Sequence, residues 1–168
     1  MEYQPGRNRT KERFRMVRRM LLATLPALAI AASAPATSAQ QRQSGTPAEA
    51  RAMLDRAVAA VRTDKAKALA AFNAGADGFR DRDLYPFCID AGTEMFTAHP
   101  SLRGTKARDL KDFVGNDLGV QLLEAGAKEG ELNETAYFFP RPGTTQPVPK
   151  LSYILRVGDQ ICAVGYYK

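Results

Sequence analysis

Residues 96–112, FTAHPSLRGTKARDLKD, hold the single histidine of the chain, His99, ahead of a proline and a basic run. A histidine can act as a general base, ligate a metal or form part of a pocket wall. Nucleophilic catalysis needs a serine or cysteine activated beside that base. No serine here has the glycine-flanked setting of a strand-to-helix elbow. Cys88 and Cys162 lie in apolar runs, where a cysteine reads as inert packing. A disulfide between them stays open if the first and last strands are neighbours. Metal sites need ligands at tight spacing, and Cys88, His99 and Cys162 are scattered. Gly75-Ala-Asp-Gly78 is too short for a phosphate loop and lacks its lysine. Asp109 and Asp112, on either side of Lys111, read as loop caps. The sequence thus predicts neither an enzyme nor a metal or other cofactor.

What remains is aromatic. Tyr85, Phe87, Phe96, Tyr137, Phe138, Phe139, Tyr153, Tyr166 and Tyr167 all fall on predicted strands. A buried phenylalanine is ordinarily core, but a buried tyrosine hydroxyl needs a partner. Tyr85, Tyr137 and Tyr153 on one sheet, near Arg141 or Lys150, can ring a small polar ligand, because a pocket needs an apolar wall with a few polar groups aimed inward. Pocket and plain core remain two readings of these residues.

The elements that would position them are legible. Thr46-Pro47-Ala48-Glu49 places Thr at a helix N-cap, Pro at the first helical position and Glu at the third, a capping box. Leu54, Val58 and Val61 follow at helical spacing. Thr63-Asp64 starts a second, shorter helix that ends at Asn73-Ala-Gly75. DLYPFCID (83–90) and TEMFTAH (93–99) read as a hairpin, with Pro86 an awkward member of its first strand. A charged loop covers 101–117, and LGVQLLEAGAK (118–128) is a short helix. ETAYFFP, KLSYILRV and ICAVGYY are three more strands, the last two joined across Gly158-Asp159 and the first two by the proline-rich loop 140–149. The count is a long N-terminal helix and five hairpin-linked strands, an α+β domain with one antiparallel sheet.

Residues 1–39 read as an export leader. A basic region precedes an apolar run from Met20 to Ala32, long enough for a signal core and short for a membrane span. Cleavage is expected after Thr37-Ser38-Ala39, and Met16 is an alternative start. Arg18-Arg19 leaves the twin-arginine and general routes both open. The leader carries 7 Lys/Arg against 2 Asp/Glu, while the remainder carries 17 against 16. The high overall isoelectric point therefore belongs to the leader and does not point to nucleic acid, whose binders carry positive charge on the folded domain. A polar lead-in (40–45) and a single domain (46–168) follow. The expected location is periplasmic or secreted.

Several short stretches, in order, carry a family resemblance: DLYPFCIDAGTEMFTAHPSLRGTKARDLKD, YFFPRPG, PKLSYILRVGD and the closing VGYYK. Together they resemble the single Cache domains, the PAS-like extracytoplasmic sensor domains of bacterial receptors. The resemblance covers residues 50–168. It implies a long N-terminal helix packed on a five-stranded antiparallel PAS-like sheet. It also implies a pocket on one sheet face for a small metabolite, often a carboxylate, and so a ligand-binding sensory module acting in signal transduction. On that analogy Tyr85, Tyr137, Phe139, Lys150 and Tyr153 line the pocket, with His99 and Arg103 near its rim. Pro86 departs from the family pattern. So does the absence of an output helix, which leaves signalling to a partner such as a membrane receptor or another periplasmic protein. The alternative is an accessory interaction domain of a membrane signalling complex, with no ligand of its own.

Overall fold

The computed structural model describes residues 44–168. The expected leader, and residues 40–43 of the lead-in, lie outside them.

Helix α1 (Pro47–Thr63) begins as its sequence dictates. The Thr46 hydroxyl accepts the Glu49 amide, and the Glu49 carboxylate accepts the Thr46 amide, so two otherwise orphaned donors are satisfied reciprocally. Helix α2 (Lys65–Ala74) is capped by Asp64 and stops at Gly75, which has φ +65°, the left-handed conformation of a helix C-terminus. The strands are β1 (Pro86–Asp90), β2 (Phe96–Ala98), β3 (Leu132–Pro140), β4 (Pro147–Val157) and β5 (Gln160–Tyr167). A 3-10 turn (Ala107–Asp109) and helix α3 (Leu118–Ala125) lie between β2 and β3. The five strands form one antiparallel sheet in the order β2-β1-β5-β4-β3.

The two sheet faces have different partners. One face packs Cys88, Cys162 and Val164 against Leu54, Val58 and Phe72 of α1 and α2. The other packs Phe87, Tyr137, Ile154 and Ile161 against Leu118 and Leu122 of α3. The split follows the two-residue period of a strand.

Three local expectations change. Cys88 and Cys162 are not free packing residues. They are cross-strand partners on β1 and β5, joined by a disulfide. Helix α3 ends at Ala125 rather than 128, because the chain must pass Ile161 closely: a Cβ on Gly126 would lie 2.3 Å from Ile161 Cγ2. Pro147 and Pro149 belong to β4 and not to a loop. Lys168 donates to the Pro149 carbonyl, so that residue's ladder groups face the β5 side. Pro147, two residues away, has the same orientation, so neither missing N–H removes a bond to β3. Pro86 occupies the first position of β1, where a strand tolerates proline.

Candidate functional site

A cavity of about 610 Å³ opens between the α3 face of the sheet, the chain that follows β2, and the β3–β4 turn. Tyr85, His99 and Phe139 form its aromatic floor. Leu102, Leu110 and Phe113 form one wall. Arg80, Lys111 and Arg141 contribute cations, and no carboxylate lines it. Beneath the floor an apolar seam of about 10 Å³ continues between Tyr137, Phe87 and Leu118, too small for more than a water.

His99 is held as a turn cap. Its Nδ1 accepts the amides of Ser101 at 3.0 Å and Leu102 at 3.1 Å. An accepting Nδ1 leaves the proton of the neutral ring on Nε2. Burial, and secondarily the charge of Lys150, pull the imidazole pKa down to about 3, so the ring is neutral across the physiological range. The rings of Tyr85, Phe96 and Phe139 pack edge-on around it at 5.5–5.9 Å. Among the described residues no buried side-chain nitrogen or oxygen lacks a partner. Among the described residues Nε2 has no hydrogen-bond partner, and the His99 ring lines the cavity.

Lys150 is 1% exposed and lies one side chain below the floor. Its Nζ donates to the Tyr85 hydroxyl at 2.9 Å and stands 4.2 Å from the Tyr85 ring centroid and 4.7 Å from that of Tyr167. Burial pulls its pKa down to about 7; Asp83 opposes the shift and Arg141 adds to it. Tyr137 is buried as well. Its hydroxyl bonds the Ser152 hydroxyl at 2.7 Å, and burial raises its pKa.

Arg141 at the rim is tied inward. It pairs with the buried carboxylate of Asp83 and donates to Ser44 Oγ at 2.9 Å. Asp83 Oδ1 also accepts the Gly45 amide at 2.6 Å. The rim is thereby bonded to the chain that enters α1. The loop over the cavity has its own anchors: Asp112 Oδ1 accepts the amides of Val114 and Asn116 at 3.0 and 2.8 Å, which makes Asp112 the loop cap its sequence suggests.

Tyr85, His99 and Phe139 therefore meet at the cavity, with Tyr137 and Lys150 directly beneath. Two expected site residues are elsewhere. Tyr153 lies on the helix face of the sheet, 6.0 Å from Tyr166, because Lys150 and Tyr153 are three positions apart in one strand and must point to opposite faces. Arg103 borders a separate surface groove between α2 and β2, since the chain turns away after His99. Arg80, Asp83 and Tyr167 are contributors that sequence reasoning missed. Tyr167 alone carried a signal: it shares the strand parity of Ile161 and Ala163, which face α3.

A neutral histidine and aromatic rings lie under a cationic rim on one face of a 2-1-5-4-3 antiparallel sheet, the PAS-like architecture of extracytoplasmic sensor domains. The chain belongs to the single Cache domain 2 family, whose model matches residues 27–160. The chain is similar in structure to a methyl-accepting chemotaxis protein from Vibrio parahaemolyticus, at 25% identity and a TM-score of 0.57, over 71% of this chain and 86% of that one. It is also similar to the periplasmic sensor domain of a chemotaxis protein, at 23% identity, TM-score 0.54, over 70% and 87%. A third similar structure is described as the basis for carboxylic acid recognition by a Cache chemosensory domain, at 20% identity, TM-score 0.52, over 70% and 85%. No curated protein matches the chain. Among the described residues no helix is long and apolar enough to cross a membrane, and no cluster of three His, Cys, Asp or Glu is placed to hold a metal ion.

Proposed function

We propose that this protein is the ligand-binding part of an exported sensory system and that its cavity takes an anionic metabolite, with carboxylates the first class to test. One observation carries the reading: three cationic side chains and no carboxylate line a cavity with an aromatic floor. Such a lining raises the local concentration of anions and rejects cations. The neutral His99 ring, with its proton on Nε2, lines the same cavity. The carboxylic acid recognised by the third similar structure supports the same class. Residues 1–39 are the proposed leader, and the disulfide agrees with an oxidising compartment.

The test is a calorimetric titration of the processed protein with acetate, propionate, succinate and benzoate, against the corresponding amides. Binding of at least one acid, weakened severalfold in Arg80→Gln/Lys111→Gln, supports the proposal. Equal binding of acids and amides overturns it. A second reading, a ligand-independent accessory domain, draws on Phe113, Val114 and Phe138, which are exposed at 55%, 60% and 38% beside one another. Membrane capture that is unchanged by all acids, and abolished by Phe113→Ser/Val114→Ser, would favour it.

A further inference from the structure

The cavity's polarity runs opposite to what a very small carboxylate requires. A two- or three-carbon acid is nearly all head group and needs its cation deep in the pocket. Here the deep cation is sealed: Lys150 is 1% exposed, does not line the cavity, and spends its contacts on Tyr85 and the surrounding rings. The other inner polar pair, Tyr137 and Ser152, is closed on itself. What the interior shows a ligand is the rings of Tyr85, Phe139 and His99 and the aliphatic wall of Leu102 and Leu110. The cations are on Arg80, Lys111 and Arg141. Arg141 already holds Asp83, and Lys111 pairs with Asp117 at the surface, both side chains being mostly exposed. Arg80 has no carboxylate partner among the described residues.

Size points the same way. About 610 Å³ is room for roughly 20 waters at about 30 Å³ each. It falls within the roughly 300–1,000 Å³ of sites that enclose drug-sized ligands. A three-carbon acid would leave most of that space wet and most of the aromatic floor uncovered. Phe113, more than half exposed and edge-on to Phe139 at 5.9 Å, has a free ring face for a ligand to cover.

We infer that the cavity selects amphipathic monoanions, arylalkanoic or branched-chain acids, bound with the apolar body against Phe139 and His99 and the carboxylate outward between Arg80 and Lys111. This rests on the anion-sensing reading and specifies its ligand class. It makes head group and body separable by mutation: the mouth cations read the charge, and the floor reads the body.

Isothermal titration of the processed protein with three probes tests it: phenylacetate, propionate, and phenylacetamide as the neutral isostere. Phenylacetate is expected to bind at least tenfold tighter than either of the others. Arg80→Gln/Lys111→Gln should weaken phenylacetate at least fivefold and flatten its salt dependence, with an unchanged melting temperature. Phe139→Leu should weaken phenylacetate but not propionate. Propionate binding as tightly as phenylacetate, or phenylacetate indifferent to the loss of both mouth cations, overturns this inference while leaving anion sensing in place. Binding of no acid at all removes the anion-sensing reading itself.

Discussion

Lys150 gives its hydrogen bond to the Tyr85 hydroxyl at 2.9 Å, and among the described residues no carboxylate is within ion-pair distance of its amine. A fully buried lysine so placed loses its hydration and gains only a neutral acceptor and the ring faces of Tyr85 and Tyr167.

A pH signature follows from that pair. Burial lowers the Lys150 pKa from 10.5 to about 7. Between those values the unfolded chain binds a proton that the folded chain does not, so stability rises with pH. Below pH 7 the full penalty for the buried charge persists. Lys150→Met should therefore be more stable than the parent at pH 6, by a few kcal/mol at about 1.4 kcal/mol per pKa unit. The gap should shrink steadily as pH approaches 10. Guanidinium midpoints for both proteins at pH 6, 8 and 10 measure it, and a pH-independent gap would show that Lys150 is charged throughout.

The disulfide is the second stabilising relationship open to direct measurement. Cys88 and Cys162 are separated by 74 positions, and closing a loop of that size should contribute about 4 kcal/mol through the unfolded chain. Cys88→Ala/Cys162→Ala should lower stability by about that amount while keeping the same circular dichroism below its transition, because both positions are fully buried and alanine fits beneath α1 and α2. Reductant should shift the parent's guanidinium midpoint and leave the variant's unmoved. Equal midpoints for parent and variant would contradict the bridge.

How far the fold could be read depended on whether a signal was local. The capping box at Thr46 and Glu49, the Gly75 stop and the Gly158-Asp159 turn are encoded within a few residues, and each stands where the sequence places it. The disulfide could be named from the sequence only as one of two readings, because it depends on β1 and β5 becoming neighbours, and strand order is a property of the whole chain. Within the site, strand parity separates success from failure. Tyr137 and Phe139 share a face, as do Lys150 and Ser152, while Tyr153 cannot join Lys150. That exclusion was available from spacing alone. Arg80, Asp83 and Arg103 lie in loops, where no period indicates a direction, so their positions required the fold.

Gly119 sets the cover of the cavity. A Cβ at this position would lie 1.6 Å from the Ala107 carbonyl oxygen, and the Gly119 amide donates to the Leu110 carbonyl at 2.9 Å. Helix α3 is thus in backbone contact with the turn that carries Leu110 and Lys111. Gly119→Ala should push that turn outward and lower stability by about 1–3 kcal/mol, the usual cost of overpacking. Gly130→Ala is a poor control, because its φ of +76° adds strain of its own. Ala125→Gly, at the other end of α3, is the better one. Amide exchange should rise over residues 107–113 in Gly119→Ala and not in Ala125→Gly. Protection unchanged in both would mean that the loop is held by Asp112 alone.

The ion pair of Asp83 and Arg141 joins the cavity rim to the start of α1, and it makes the entry of that helix dependent on the rim. Asp83 is buried and accepts from both Arg141 and the Gly45 amide, while Arg141 also donates to Ser44. The neighbouring Arg82, at φ +56°, reaches the Ser44 carbonyl at 3.0 Å and Glu49 at 2.7 Å. Gly45 has no room to shift toward the body of the domain, since a Cβ there would lie 2.2 Å from the Leu84 side chain. Asp83→Ala removes two acceptors at once and leaves a partly buried guanidinium without its carboxylate. Because Arg141 is about one-third exposed, the expected loss is below the about 3–5 kcal/mol of a fully buried pair, on the order of 2 kcal/mol. Asp83→Asn keeps an acceptor for Gly45 and should lose less. The decisive readout is local: amide exchange at residues 45–49 should rise more than tenfold in Asp83→Ala, beyond the change in global stability, and only modestly in Asp83→Asn. A uniform rise across the sheet would instead make Asp83 a general stabiliser with no particular hold on the helix entry.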